Sequence, residues 1–367
     1  MSHSFPVILQ LLVGQGHAIW DLNIQTESRE LVMEAFSSLV TLVTPGRFSE
    51  LSICIKPKTD FGTPSLGDWA IISLPSKQQE LIKCILSSLR ALRIRAAHLE
   101  LHGISSANLL KLRIESITFD STLQFKRLLE AISSVSRLQY LYLITLSSRN
   151  LDPDSSSDDT ASDATSDMAS DTLGTYELSI SFPNLKVLHL ADMWFGDLVL
   201  VLQSIVPGDE KLMLSLNEKC LSSDGFGAWV GGGVERLCCV LQCFKTETLM
   251  LNVEEHAGWL DEDELLLLLL TVPTLMTLKM CRWPFFRSQL QSLMRPLNRA
   301  ASEMRDTIHP RIRNLHVYNA RIYNEHWFQK VVVSHGNQQV RLGGHLCGAL
   351  KNDVEIMDGS DIANWLL

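Results

Sequence analysis

The chain repeats one short pattern along its length: an apolar residue, any residue, then another apolar residue. It occurs in Trp20-Asp21-Leu22-Asn23-Ile24, Leu51-Ser52-Ile53, Leu92-Arg93-Ile94, Leu112-Arg113-Ile114 and Leu141-Tyr142-Leu143. It continues in Leu188-His189-Leu190, Leu214-Ser215-Leu216, Leu249-Met250-Leu251, Leu278-Lys279-Met280 and Leu315-His316-Val317. Alternation with a period of two marks a strand that buries one face and wets the other. Several segments carry a further Leu three residues ahead, at Leu89, Leu109, Leu138, Leu185 and Leu275.

Apolar stretches with helical spacing separate the strands, over residues 27–40, 78–89, 123–133, 197–205, 234–244, 261–271 and 287–304. Asp261-Glu262-Asp263-Glu264 opens one of them. Negative charge there suits the positive end of the helix dipole. One strand-helix unit cannot bury its apolar face alone, so neighbours must stack into a shared core. Right-handed crossovers would line up parallel strands on the concave side and helices on the convex side. The expected class is α/β. The 61 leucines in 367 residues agree with such an array.

The net charge of −9 is uneven. Seven acidic residues lie between Asp152 and Asp171, where no Lys or Arg occurs. Without them 34 acidic residues face 32 basic ones, a net of −2. This excludes the overall basic character of a nucleic-acid binder, so no nucleic-acid partner is expected. The eight cysteines are too irregular for a secreted disulfide framework, and no Asn-x-Ser/Thr sequon occurs. The longest apolar run, 265–272, is far short of the roughly 20 residues that span a bilayer. The N-terminus has no basic segment ahead of its apolar stretch. Together these predict an intracellular monomer, cytoplasmic or nuclear, with no membrane partner. Residues 1–149 and 176–367 read as two halves of one continuous array, and 150–175 as an acidic Ser/Asp-rich disordered insert.

Phe182-Pro183-Asn184-Leu185-Lys186-Val187-Leu188-His189-Leu190 resembles the leucine-rich-repeat portion of fungal F-box-type proteins. Phe48-Ser49-Glu50-Leu51-Ser52-Ile53 is similar to the first strand of that array. The resemblance implies an irregular leucine-rich-repeat solenoid. Successive motifs here lie 20 to 47 residues apart. Regular repeats are about 20–29 residues long. The asparagine that usually follows the motif is replaced near Met193 and Trp194. No F-box precedes Trp20, and Leu74-Pro75 runs into what reads as a repeat helix. Binding of a Skp1-type adaptor is therefore expected only with an F-box upstream.

The alternate strand residues are the candidate partner-binding set: Asp21, Asn23, Arg93, Arg95, Arg113, Glu115, Tyr140, Tyr142, His189, Asn252, Lys279, His316 and Tyr318. Arg and Tyr dominate interface hot spots. Ser155, Ser156 and Thr160 each have Asp three residues later, a pattern that suits an acidophilic kinase. Cys238, Cys239 and Cys243 read as core packing, and His98 and His102 as the polar face of a strand. Gly231-Gly232-Gly233 reads as a turn before a helix. No H-E-x-x-H, C-x-x-C, G-x-S-x-G, phosphate loop or G-x-G-x-x-G occurs. No cofactor, metal or catalytic residue is assigned. The expectation is a non-enzymatic protein-interaction module, such as the substrate-recognition part of an F-box-type ubiquitin ligase. A free-standing leucine-rich-repeat scaffold or inhibitor is the alternative, and an enzyme without a recognisable motif the weaker one.

Overall fold

A computed structural model describes residues 21–28, 30–32, 34–35, 49–56, 70–72, 83–99, 108–148, 179–206, 208, 210–222, 233–253, 259–294, 310–336, 339–343 and 355–357. The first half holds β1 (Asp21–Thr26), β2 (Glu50–Ile55), β3 (Ala70–Ile72), β4 (Ala91–Arg95), β5 (Ala97–Leu99), β6 (Lys111–Phe119), α1 (Thr122–Ser133) and β7 (Tyr140–Ser148). Then follow β8 (Val187–Ala191), α2 (Phe195–Ser204), β9 (Lys211–Leu216), α3 (Gly233–Leu241), β10 (Thr246–Asn252) and α4 (Glu262–Thr271). The last part holds β11 (Thr277–Cys281), β12 (Pro284–Phe285), α5 (Arg287–Leu293), β13 (Asn314–Tyr318), β14 (Arg321–Ile322), α6 (Glu325–His335), β15 (Gln339–Gly343) and β16 (Glu355–Met357).

Twelve strands form one sheet in the order β1-β2-β4-β6-β7-β8-β9-β10-β11-β13-β15-β16. Every pairing is parallel, and the sheet order is the chain order. All ten strands read from the alternation are in it. The fold is α/β, with a large open parallel sheet and helices. β7 pairs directly with β8, so the strands on either side of residues 149–178 share this sheet. The acidic segment, with Ser155, Ser156 and Thr160, lies outside the described residues.

The register places like on like. Leu92, Leu112, Leu141, Leu188 and Leu212 are successive partners, and so are Ile94, Ile114, Leu143, Leu190 and Leu214. All are 3% exposed or less. They share one core with the inner faces of the helices, such as Phe125, Leu129 and Ile132 of α1 and Leu265, Leu268 and Leu269 of α4. The helices therefore cover the leucine face of the sheet. Each leucine removed from water contributes roughly 1.5–3 kcal/mol.

The units repeat in backbone detail too. The leading Leu closes a turn by donating its N–H three residues back: Leu89 to Leu86, Leu138 to Val135, Leu185 to Phe182 and Leu275 to Val272, at 3.0–3.2 Å. The carbonyl just ahead of each strand then accepts two N–H groups from the next unit. Arg90 accepts Leu110 and Lys111, Leu110 accepts Gln139 and Tyr140, and Gln139 accepts Lys186 and Val187. Asn108 and Asn184, each just before a leading Leu, donate side-chain N–H to the carbonyls of Ser87 and Ser136 in the preceding turns.

The strand core of six units ends on a residue with positive φ: Ala96, Ser116, Thr145, Asp192, Arg282 and Asn319, at 49 to 57°. Each stands directly after a set of in-register strand positions. A left-handed L-residue costs roughly 1–2 kcal/mol. The ladder bonds made at these corners offset that cost. Ala96, Arg282 and Asn319 donate N–H to the carbonyls of Glu115, Tyr318 and Gly343 in the next strand.

The helix ends follow their sequence signals. Asp261 accepts from the Glu264 N–H at 2.8 Å, and the Glu264 carboxylate accepts from the Asp261 N–H at 2.9 Å, a complete capping box. Two expectations need correction. The helix expected over 287–304 ends at Leu293, because Met294 is extended; residues 295–309 lie outside the described set. Of the three cysteines expected in the core, only Cys238 is buried, while Cys239 and Cys243 are exposed. The inner face of α3 is Val234, Leu237, Cys238 and Leu241, so Cys239 points off it. His98 lies in β5 and Gly233 opens α3, whereas His102 and residues 231–232 lie outside the described set.

Candidate functional site

On the face opposite the leucines, the register builds two rows. One runs Asn23, Ser52, Arg93, Arg113, Tyr142, His189 and Met213. The other begins Gln25, Cys54, Arg95, Glu115, Ile144, Ala191 and Ser215, then continues through Met250, Lys279, His316 and Arg341. Past the bulge in β10 between Thr246 and Thr248, the first row goes on through Thr248, Thr277, Asn314 and Gln339. Period-two strands in strict register put these side chains on one surface.

Glu115 is the centre of the first half. It is 5% exposed and held by three arginines. Arg93 Nε is 3.0 Å from one carboxylate oxygen and Arg95 Nε 3.9 Å from the other, and Arg113 Nε donates to Glu115 from its own strand. Arg113 and Lys111 also lie over the Tyr142 ring, at 5.8 and 5.3 Å from its centroid. Burial raises the Tyr142 phenol, while the nearby Arg113 charge lowers it by less. The His189 ring meets Tyr142 edge-on, with centroids 5.6 Å apart.

His189 and His316 are both titratable and both covered. Burial pushes His189 down to about 4, with the charges of Arg113 and Lys279 adding to it. Burial likewise pushes His316 down to about 4, reinforced by Lys279 and Arg341 and opposed by a bond to Gln339. Lys279 is lowered as well, by burial and then by Arg341. All three shifts have the same sign, set first by burial and then by neighbouring positive charges.

Most of the sequence-derived set is brought together here. Arg93, Arg113, Tyr140, Tyr142, Lys279, Asn252 and Tyr318 are half-buried, and Arg95, Asp21 and Asn23 are exposed. Asp21 and Asn23 lie on β1, at the edge of the sheet, three strands from Glu115 in sheet order. The expectation that all thirteen face solvent fails for Glu115, His189 and His316, which are 5%, 7% and 9% exposed. Their neighbours in adjacent strands cover them.

Sequence reasoning missed a second network at the C-terminal ends of β7–β9. Asp192 accepts from Thr145 Oγ1 at 2.9 Å, Asn217 Nδ2 at 2.8 Å and Lys219 Nζ at 2.7 Å. Asp197, in the first turn of α2, accepts from both the N–H and the hydroxyl of Ser148. Burial raises the Asp197 carboxyl, and the two Ser148 bonds partly oppose that. These bonds tie three successive units together. Only Asp192 and Asn217 carried a sequence signal, as polar residues just past a strand.

Among the described residues, no group of three or more His, Cys, Asp or Glu comes together as a metal would require. Among them, too, no helix is long and apolar enough to cross a membrane. No protein-family model matches the chain, and no curated protein matches its sequence.

Proposed function

We propose that the chain is a protein-interaction module, built as an irregular leucine-rich-repeat solenoid, which docks a protein partner on the polar face of its sheet. One observation carries the reading: the two in-register rows of Arg, Tyr, His and Lys opposite the leucine face. Strands held by ladders on both sides and backed by helices present these groups with little entropy left to lose. The repeated turn, strand and left-handed corner support the solenoid. The motif around Phe182–Leu190 supports a tie to F-box-type proteins, in which the docked partner would be a ubiquitin-ligase substrate.

Photo-crosslinking in the native cell type tests the docking. A photoreactive phenylalanine at Tyr142 should capture a defined protein, and one at Leu267, exposed on α4, should not. Capture from Leu267 with none from Tyr142 would overturn the reading. Co-purification of a Skp1-type adaptor with the complete gene product separates the ligase from a free-standing scaffold or inhibitor.

A further inference from the structure

The partner face is charged against the rest of the chain. Where β4 and β6 meet, its strands carry Arg93, Arg95, Lys111 and Arg113 against Glu115. Lys211 is neutralised by Glu247, at 2.8 Å. Four positive charges less one leave +3 on this patch, in a chain of net −9.

The donors are also unbalanced. Arg93, Arg95 and Arg113 converge on the single carboxylate of Glu115. Three guanidiniums offer about 15 N–H groups, and one carboxylate has about four lone-pair sites. Glu115 can therefore satisfy only a fraction of them. Arg93 and Arg95 keep 39% and 48% of their side chains exposed, so their remaining donors face outward. Glu115 shows in place how this patch holds a carboxylate, and the half-buried Tyr142 beside it offers an apolar wall.

We infer that the partner segment docked on this face is an extended, carboxylate-rich polypeptide, with its acidic side chains on Arg93 and Arg95 beside the covered Arg113–Glu115 pair and its continuation reaching Lys279 and Arg341. This rests on the docking reading above and names the partner's chemistry. Eight strand steps separate β4 from β15. At about 4.8 Å each they span about 38 Å, the reach of about eleven extended residues.

Fluorescence anisotropy on the full chain tests the inference, with a labelled twelve-residue Asp/Glu/Ser peptide, a Gln/Asn/Ser peptide and a Lys/Arg/Ser peptide. The acidic peptide should bind at least tenfold tighter than either control and weaken as salt rises. Arg93→Glu with Arg95→Glu should weaken it at least tenfold. Arg127→Glu with Arg137→Glu, an equal charge change on the exposed side of α1 and in the turn after it, should weaken it less than threefold. If the first pair fails to fold, Arg93→Gln with Arg95→Gln removes the charge without repelling Glu115, and should still weaken binding at least threefold. Equal binding of all three peptides, equal loss in both charge-reversal pairs, or tighter binding of a single-stranded RNA than of the acidic peptide would overturn it. Capture of a partner through Tyr142 without acidic-peptide binding would leave the docking reading standing and remove this one.

Discussion

Acidification should weaken this protein through two particular imidazoles, and the size of the effect follows from their surroundings. His189 and His316 sit at about 4 in the folded chain against an ordinary 6.5. The unfolded chain therefore takes up protons first. Stability from these groups is complete above about pH 6.5 and falls as pH drops from about 6.5 to about 4. A fall from 6.5 to about 4 corresponds to about 3 kcal/mol for each imidazole. Burial is the larger cause in both and Lys279 adds to each; the two rings lie four strands apart, so the losses are independent. Even one is large beside a typical folding stability of about 5–15 kcal/mol. Urea unfolding of the native chain and of His189→Gln/His316→Gln, at pH 7.5, 6.0, 5.0 and 4.0, reads the effect. The midpoint of the native chain should fall more steeply between pH 6.5 and 4 than that of the variant. Parallel midpoints across that window would refute the argument, because carboxylate titrations common to both chains would then account for the whole slope.

Other perturbations have separate signatures. Arg282→Gly relieves a left-handed corner at φ 57° and should leave stability unchanged or raise it by up to about 1 kcal/mol, whereas Arg282→Ile should lower it by about 1–2 kcal/mol in the same denaturant titration. Asp261→Ala breaks the capping box of α4 and should cost about 1 kcal/mol, with faster amide exchange in that helix's first turn. Asp197→Asn keeps an acceptor for Ser148 and removes a carboxyl that burial holds above its ordinary value. Its folded pKa is raised, so ionisation disfavours the fold at neutral pH. The variant should be at least as stable as the native chain at pH 8, and the difference should shrink as pH falls into the carboxylate range.

The core strands were legible because period-two alternation is written locally, two leucines at a time. α6 was not, because Val331-Val332-Val333 disfavours a helix by propensity. It forms through the Asn324 side chain bonded to the Trp327 N–H and the left-handed Gly336 at its end. β15 offers only Val340 and Leu342, too short an alternation to separate from a loop. The left-handed corners were invisible, since only Asp192 and Asn319 among the six are residue types that favour that conformation. Alternation alone showed which residues of the ten recognised strands share the polar face, while Lys111 at a strand start and Arg341 on β15 were not in the sequence-derived set. The burial of Glu115, His189 and His316 was not readable, because it depends on side chains one strand away.

The identity of chain order and sheet order also decides how the protein yields to force. Each interior strand of the twelve is paired only with the strands of that sheet before and after it, and β1 has a single partner. Stretched between its ends, the chain carries load along the direction in which its ladder hydrogen bonds point, so those bonds open in succession rather than shearing together. Extension in an optical trap would advance as a staircase of small slips, each releasing one turn, strand and helix while the remaining sheet keeps its register.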